Sequence, residues 1–517
     1  MDRRAFLKAT GGALAGVAAA NLHDPAVGLA RAAQRPRQPS LPGPPFNLGV
    51  ASGDPAHNGV VLWTRLAPDP LAPGGGMPPG PLRVEWEVAL DERFRKVVRR
   101  GHERVHAEDA HTAHVEVRGL HADTTYWYRF RAGGEISPVG RTRTTPRPGS
   151  RPRGIRFVAA SCQNYQQGLY TAHRAMAAED VAFVVFLGDY IYESRPDPAA
   201  VRQHDGTGEP FDLDQYRSRY ALYKLDPDLQ ASHTAVPWIV TLDDHEVDNN
   251  WAGPIPQDPA LQPPEQFLAR RTAALKAYWE HMPLSRRARP AGAEMALFRR
   301  FTWGDLLQID VLDTRQHRSD QPVDLAGADD PAATMLGAEQ EAWLSNGLRR
   351  SRARWNCLAQ QVMLAQNDRL AGPAQVFDFD NWDGYRVARQ RLLAELTGVA
   401  NPVVLSGDRH RTWVSDLKED FDDPGSTTVG AELTGTSLSS GGDEDPDLFH
   451  AVFGPIMAES PHWKFIDNRR GYLVCDLDRQ RWLTDLRVVS TVLSPNATVS
   501  TFAQFLTEAG RRGVSVV

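Results

Sequence analysis

Four short polar clusters, each set directly behind an apolar run, constrain this chain more than any other feature. They are Ser161, Cys162 and Gln163; Gly188, Asp189, Tyr190, Ile191 and Tyr192; Asp243, Asp244, His245 and Glu246; and Gly407, Asp408, Arg409 and His410. Short runs rich in Val, Ile, Leu and Phe read as strands buried on both faces. Ligands gather outside the carboxyl ends of such strands, so clusters in that position predict one convergent site instead of four separate loops. The side chains on offer are a thiol, carboxylates, a phenol and imidazoles, which are metal-ligating types, and the set suggests a two-metal site suited to phosphoester chemistry.

Each cluster has its own logic and its own plainer reading. Gly188 permits a sharp turn that points Asp189 into a site, where a carboxylate can bridge two cations, and Tyr192 is close enough to add a hard phenolate; a helix-capping Asp and a packing Tyr are the alternative. The packed acids of Asp243 and Asp244 require a cation or an arginine nearby, with Asp244 as a ligand and His245 as a proton donor to a leaving alkoxide, unless the segment is a solvated acidic turn. Asp408 and His410, two apart on an extended segment, share a face. Cys162 sits at a strand end between polar neighbours, where a cation would hold it as thiolate, whereas Cys357 and Cys475 lie within apolar strands as small hydrophobes. Arg315, behind a further strand, is a candidate two-point clamp for a phosphoryl oxygen. His317 and Arg318 are at least as well explained by salt bridges.

The remainder of the 517 residues supplies the frame. Arg3 and Arg4, the sequel Phe6, Leu7 and Lys8, an Ala/Gly run and the small residues around Ala30 and Ala32 resemble a twin-arginine export signal over residues 1–32. The expected location is periplasmic or extracellular, reached through the twin-arginine machinery. No later stretch reaches about 18 apolar residues, so no transmembrane anchor is expected. The three cysteines do not suggest a disulfide framework. A formal net charge of −6 gives no basic field for a stable nucleic-acid complex. No pattern in the chain specifies an oligomeric state.

Residues 44–146 alternate as short strands between Gly, Pro and Asp, which predicts an immunoglobulin- or fibronectin-like β-sandwich with a tyrosine corner around Tyr126. The Pro/Gly/Arg stretch from Thr144 to Gly154 marks a boundary. Residues 154–490 alternate strands and helices, one helix running from Pro264 to His281 with Leu268, Leu275 and Trp279 along one face. Residues 491–517 are expected as a tail or a helix around Phe502 to Glu508.

Taken together, these residues resemble the PhoD-like alkaline phosphatase/phosphodiesterase family within the calcineurin-like metallophosphoesterases. The likeness also rests on Gly49 to Pro55, Val61 to Arg65, Asp313 to Arg315, Glu432 to Ser437 and Arg470 to Tyr472. It implies an α+β fold with a four-layer αββα core behind the sandwich, and a ferric iron with one or two calcium ions. Cys162, Tyr192 and Asp408 then look like iron ligands, Asp189 like the bridge, and Asp244, Asn249 and His410 like calcium-side ligands. His245 stands where related enzymes keep a catalytic histidine. Gln361 is a further calcium-side candidate from its strand position. Relative to the wider superfamily, Ser161, Cys162 and Gln163 stand in place of the usual Asp-x-His signature, Asp244 in place of an Asn and Asp408 in place of a His, departures that suit hard, anionic ligation better than a di-zinc centre. The implied activity is hydrolysis of small or polymeric phosphate mono- and diesters by hydroxide generated at the metals. Alternatives are a phospholipase D-like diesterase and a catalytically inactive secreted binding protein.

Overall fold

Strands with both faces apolar must be covered on both sides, and the two large sheets of this protein are. A computed structural model describes residues 41–204, 208–441 and 445–517; the export segment lies outside the described residues. In the ten-stranded sheet, Gly154–Ala160, Val184–Phe186 and Trp238–Val240 run parallel at the centre. In the seven-stranded sheet, Leu307–Val311, Trp355–Ala359, Pro402–Ser406 and Thr428–Thr434 run parallel.

Alternation along these strands sets the layers. Phe157, Ala159, Val185 and Leu473 of the first sheet pack against Ile309, Val311, Val403 and Leu405 of the second in one shared core. Their neighbours Val158, Ala160, Val184 and Phe186 face the opposite way, onto helices that include Leu213–Lys224, Pro227–Ala235 and Pro264–His281. Leu358 and Val404 likewise turn away from the shared core, toward helices Gly337–Arg350, Arg386–Leu396 and Pro446–Glu459. Cys357 and Cys475 are free and buried in the shared core, as apolar packing requires.

The N-terminal region is a β-sandwich, and one of its sheets is shared. Strands Leu82–Ala89, Val97–Val105, Thr125–Ala132, Glu135–Ile136 and Gly140–Arg143 form the five-stranded sheet. Val50–Ala56, Gly59–Arg65 and Thr112–Arg118 face it across a core of Val60, Leu62, Val84, Val115, Tyr128 and Phe130. These three strands are also the last members of the ten-stranded sheet, joined to it where Gly53 pairs with Trp238. The tyrosine corner is present: the Tyr126 hydroxyl accepts the His121 N–H at 2.8 Å.

Two local expectations are corrected. Val499–Glu508 is a strand, not a helix, paired antiparallel with Arg481–Val489. Phe505 enters the shared core while Phe502 stays 44% exposed, the period of two that a sheet edge imposes. On helix Pro264–His281 the buried face runs through Phe267, Ala274, Leu275 and Tyr278, and Leu268 lies outside it at 37% exposed.

Lys224, at the end of helix Leu213–Lys224, is 2% exposed, its ammonium 4.3 Å from the Trp63 ring centre and 5.3 Å from that of Tyr190. Burial lowers its pKa from 10.5 to about 7. Between those values the unfolded chain holds more protons than the folded one, so stability rises as pH rises through this window and is lowest below it. Lys224→Met should therefore be more stable than the parent at pH 7, by on the order of 3–5 kcal/mol at most. That advantage should fade toward pH 10.5, as followed by urea denaturation across pH.

Candidate metal centre

The parallel strands of both sheets end at the same edge, and their first loop residues carry the predicted side chains. Four of these residues hold left-handed backbone that non-glycine residues rarely adopt: Cys162 (φ 61°), Asp189 (φ 58°), Asp408 (φ 64°) and His410 (φ 56°). Such conformations persist only where the surroundings over-determine them, and they cluster at functional sites. Gly188 has a geometric reason of its own, since a Cβ there would lie 2.5 Å from that of Asp243. Glu246 ties the same two loops, accepting the N–H groups of Asp189, Tyr190 and Asp243 at 3.2, 2.6 and 2.7 Å.

Cys162, Asp189 and His410 offer ligand atoms within 4.8 Å of one another. The Tyr192 hydroxyl donates to Asp189 Oδ2 at 2.7 Å and lies 2.9 Å from His410 Nε2. Asp189 Oδ1 is buried without a hydrogen-bond partner among the described residues. Burial, then the Asp189 charge, pushes both the Cys162 thiol and the Tyr192 phenol well above their ordinary pKa values. An aspartate with one orphaned oxygen, grouped with a thiol, a phenol and an imidazole, is a donor set that fits a cation, whose charge would hold the thiol and phenol deprotonated.

A second group, Asp189, Asp244 and His245, shares Asp189 with the first. Asp244 accepts the N–H groups of His245 and Asn250 at 3.0 and 2.7 Å, which fixes its turn. His245 Nδ1 lies 2.7 Å from Glu193 Oε2, and the other Glu193 oxygen accepts the Asn249 N–H at 2.9 Å. Burial disfavours charge on this imidazole, but Glu193, Asp244 and Asp189 outweigh it and raise His245 well above its usual value.

The third group, Asp243, Asp244 and Asp408, already has a cation. Arg315 is fully buried, with Nε 2.5 Å from Asp243, one terminal nitrogen 2.9 and 2.8 Å from the two oxygens of Asp380, and the other 3.3 Å from Asp408 and 3.6 Å from Asp244. The expected phosphoryl clamp is thus corrected: this guanidinium is spent on carboxylates of its own chain. One positive charge does not suffice for them, because burial still holds Asp243 and Asp244 above the carboxylate range and lifts Asp408 to about 7. Arg318 also binds Asp380 and the Asn250 and Trp251 carbonyls, and His317 is exposed.

The Gly-Asp-Arg-His cluster is arranged the other way round from the expectation. His410 faces Cys162 and Tyr192, while Asp408 faces Asp243 and Asp244. Left-handed backbone at both residues breaks the extended geometry that would have put them on one face. Gln361 is no free ligand either: its amide accepts from the Thr314 N–H and hydroxyl and donates to the Thr241 hydroxyl and the Leu312 carbonyl, stitching strand ends together. Sequence reasoning gave Glu193 and Glu246 no role, although Glu246 closes one cluster it had singled out and Glu193 directly follows another; their signal was an acid at the end of an otherwise ligand-rich run.

Residues 157–486 match the PhoD-like phosphatase family, and residues 30–146 match the N-terminal domain of PhoD-like phosphatases. The chain belongs to the PhoD-like phosphatase family. It is 44% identical to alkaline phosphatase D of Bacillus subtilis (strain 168) over 531 aligned residues, covering 100% of this chain and 89% of that protein. A solved structure of PhoD superposes with a TM-score of 0.89 at 44% identity, over 93% of each chain.

In this PhoD-like protein Arg315 is the part whose removal is most informative. Arg315→Ala leaves Asp243, Asp244 and Asp408 without this counter-ion, while Asp380 keeps Arg318, and should cost about 3–5 kcal/mol. Guanidinium denaturation of the metal-loaded protein checks this; a change within about 0.5 kcal/mol is the range of an ordinary surface substitution and would contradict the role.

Proposed function

We propose that the chain is an exported metal-dependent phosphoesterase that hydrolyses phosphate mono- and diesters under alkaline conditions. Its packing is read as the four-layer αββα metallophosphoesterase core. The observation that carries the reading is the buried, incompletely neutralised acid cluster around the orphaned Asp189 oxygen, in a chain 44% identical to an alkaline phosphatase. Cys162, Tyr192, His410 and Asp189 would hold one cation, for which thiolate and phenolate favour ferric iron. Asp189, Asp244, Asp408 and Asn249 would hold calcium, which prefers oxygen ligands. When bound, such a pair supplies Lewis-acid polarisation of phosphoryl oxygens and acidifies water.

The chain's own residues do the rest. Glu193 holds the His245 ring by Nδ1, which leaves Nε2 to carry a proton to a departing alkoxide. The neighbouring Glu193, Asp244 and Asp189 raise that imidazole's pKa well above its usual value, which favours its charged form. Arg315 lets the aspartates stay close together without occupying ligand positions of the first group. The twin-arginine motif at Arg3 and Arg4 supports export after folding, with metals loaded in the cytoplasm, where a free Cys162 remains reduced.

Exhaustive chelation should abolish hydrolysis of p-nitrophenyl phosphate and bis-p-nitrophenyl phosphate. Restoration by ferric iron plus calcium but not by zinc, with both metals found by plasma mass spectrometry, is the expected result; activity that survives chelation refutes the two-metal reading. Separately, Glu193→Gln removes an anion beside His245 and should lower that pKa. The alkaline limb of the kcat profile should then move to lower pH by about one unit or more, and an unmoved limb removes Glu193 from the mechanism.

A further inference from the structure

The five-stranded sheet turns one face into the N-terminal core and one face outward. Directly opposed residues of antiparallel strands project to the same side, so register identifies the outward face. Its rows are Arg83 opposite Arg104, Glu85 between His102 and Arg131, and Glu87 between Arg100 and Arg129. Trp127 opposite Arg141 and Thr125 opposite Arg143 extend it. The alternate residues Val84, Val88, Tyr126, Tyr128 and Phe130 fill the core. Seven arginines and a histidine thus meet two glutamates on one face of a chain whose formal net charge is −6.

Arg83 directly opposes Arg104, a destabilising like-charge pair, whereas Glu85 and Glu87 each sit between basic residues; two carboxylates still leave the seven arginines of this face in excess. Three of the arginines are paired: Arg129 with Glu87 at 2.7 Å, Arg83 with Glu85 at 3.3 Å and Arg143 with Asp123 at 2.7 Å. Arg100, Arg104, Arg131 and Arg141 make no ion pair among the described residues, and the first three are exposed. Residues two apart on a strand are about 6.6–6.8 Å apart and neighbouring strands about 4.8 Å. The guanidinium groups therefore form short ladders, and each is a planar fork suited to phosphate oxygens. The half-buried Trp127 adds a flat apolar surface within the ladder.

We propose that this face is a docking surface for a linear phosphodiester polymer, held by Arg100, Arg104, Arg131 and Arg141. The proposal rests on the phosphoesterase reading and adds to it a capture surface on the N-terminal sheet, separate from the residues of the metal centre. A lipid bilayer is the poorer occupant. Interfacial binding needs apolar side chains to insert, and the exposed aliphatic residue in these rows is Ile136, opposite Arg131.

The test uses the metal-loaded full chain and a fluorescein-labelled, phosphorothioate-linked oligothymidylate of about 15 nucleotides, a hydrolysis-resistant phosphodiester chain of the length such grooves accept. Anisotropy should report salt-sensitive binding. R100A/R104A/R131A should weaken it at least about tenfold and reduce the log–log salt slope by about 2, since each single-strand phosphate contact contributes about 0.7. Hydrolysis of bis-p-nitrophenyl phosphate by this variant should match the parent, which also certifies its fold. Equal affinity of parent and variant overturns the proposal. So does equally tight binding of polyglutamate of the same length, or tighter binding to vesicles of equal parts phosphatidylglycerol and phosphatidylcholine. Arginine-dependent binding in a protein that hydrolyses no phosphoester would uphold the docking surface and sink the functional reading.

Discussion

Four aspartates, Asp243, Asp244, Asp380 and Asp408, surround the buried guanidinium of Arg315, and the geometry of the whole catalytic edge follows from that arrangement. Carboxylates brought out of water at this density repel one another, and their ionisation is suppressed unless positive charge lies among them. Asp380 shows the compensated case: against burial, Arg315 and Arg318 hold it well below the carboxylate range. Asp243 and Asp408, further from full compensation, stay raised. The unmet demand for positive charge is what makes the adjoining Cys162, Asp189, Tyr192 and His410 group intelligible as a cation site.

Holding such a set together requires backbone that is fixed without the cation. Glu246 ties the Asp189 loop to the Asp243 loop through three N–H groups, and Gln361 ties three strand ends. Of the left-handed residues, Asp189 is held directly by the Glu246 tie. Rigid loops on rigid strands give preorganisation, which is what electrostatic catalysis needs from a protein. Loops from both packed sheets meet at this edge, since Cys162, Asp189 and Asp244 follow strands of one sheet and Asp408 and His410 follow a strand of the other.

Legibility followed the range of the interaction. Strand-end positions, the glycine of the Asp189 turn and the types of ligand were all readable, because a buried strand followed by a polar cluster is a local pattern. The partition of Asp408 and His410 was not, since it turns on two φ angles that spacing does not encode. Arg315 was recognised as important but given the wrong partner: which carboxylates lie around it is settled by three other segments. Phe502 to Glu508 was ambiguous because a short apolar run suits either a helix or a strand, and only the open edge beside Arg481–Val489 decides.

By itself the sequence determined the inventory: a β-sandwich, an alternating strand and helix region, and a thiol, a phenol and a surplus of acids behind buried strands. The tertiary structure decided the pairings: which imidazole meets the thiol, which arginine neutralises the aspartates, which glutamate orients His245, and that the sandwich shares a sheet with the catalytic core. The physical reason is that propensity and burial pattern act over a few residues, whereas electrostatic compensation acts through space and depends on contacts far apart in the chain.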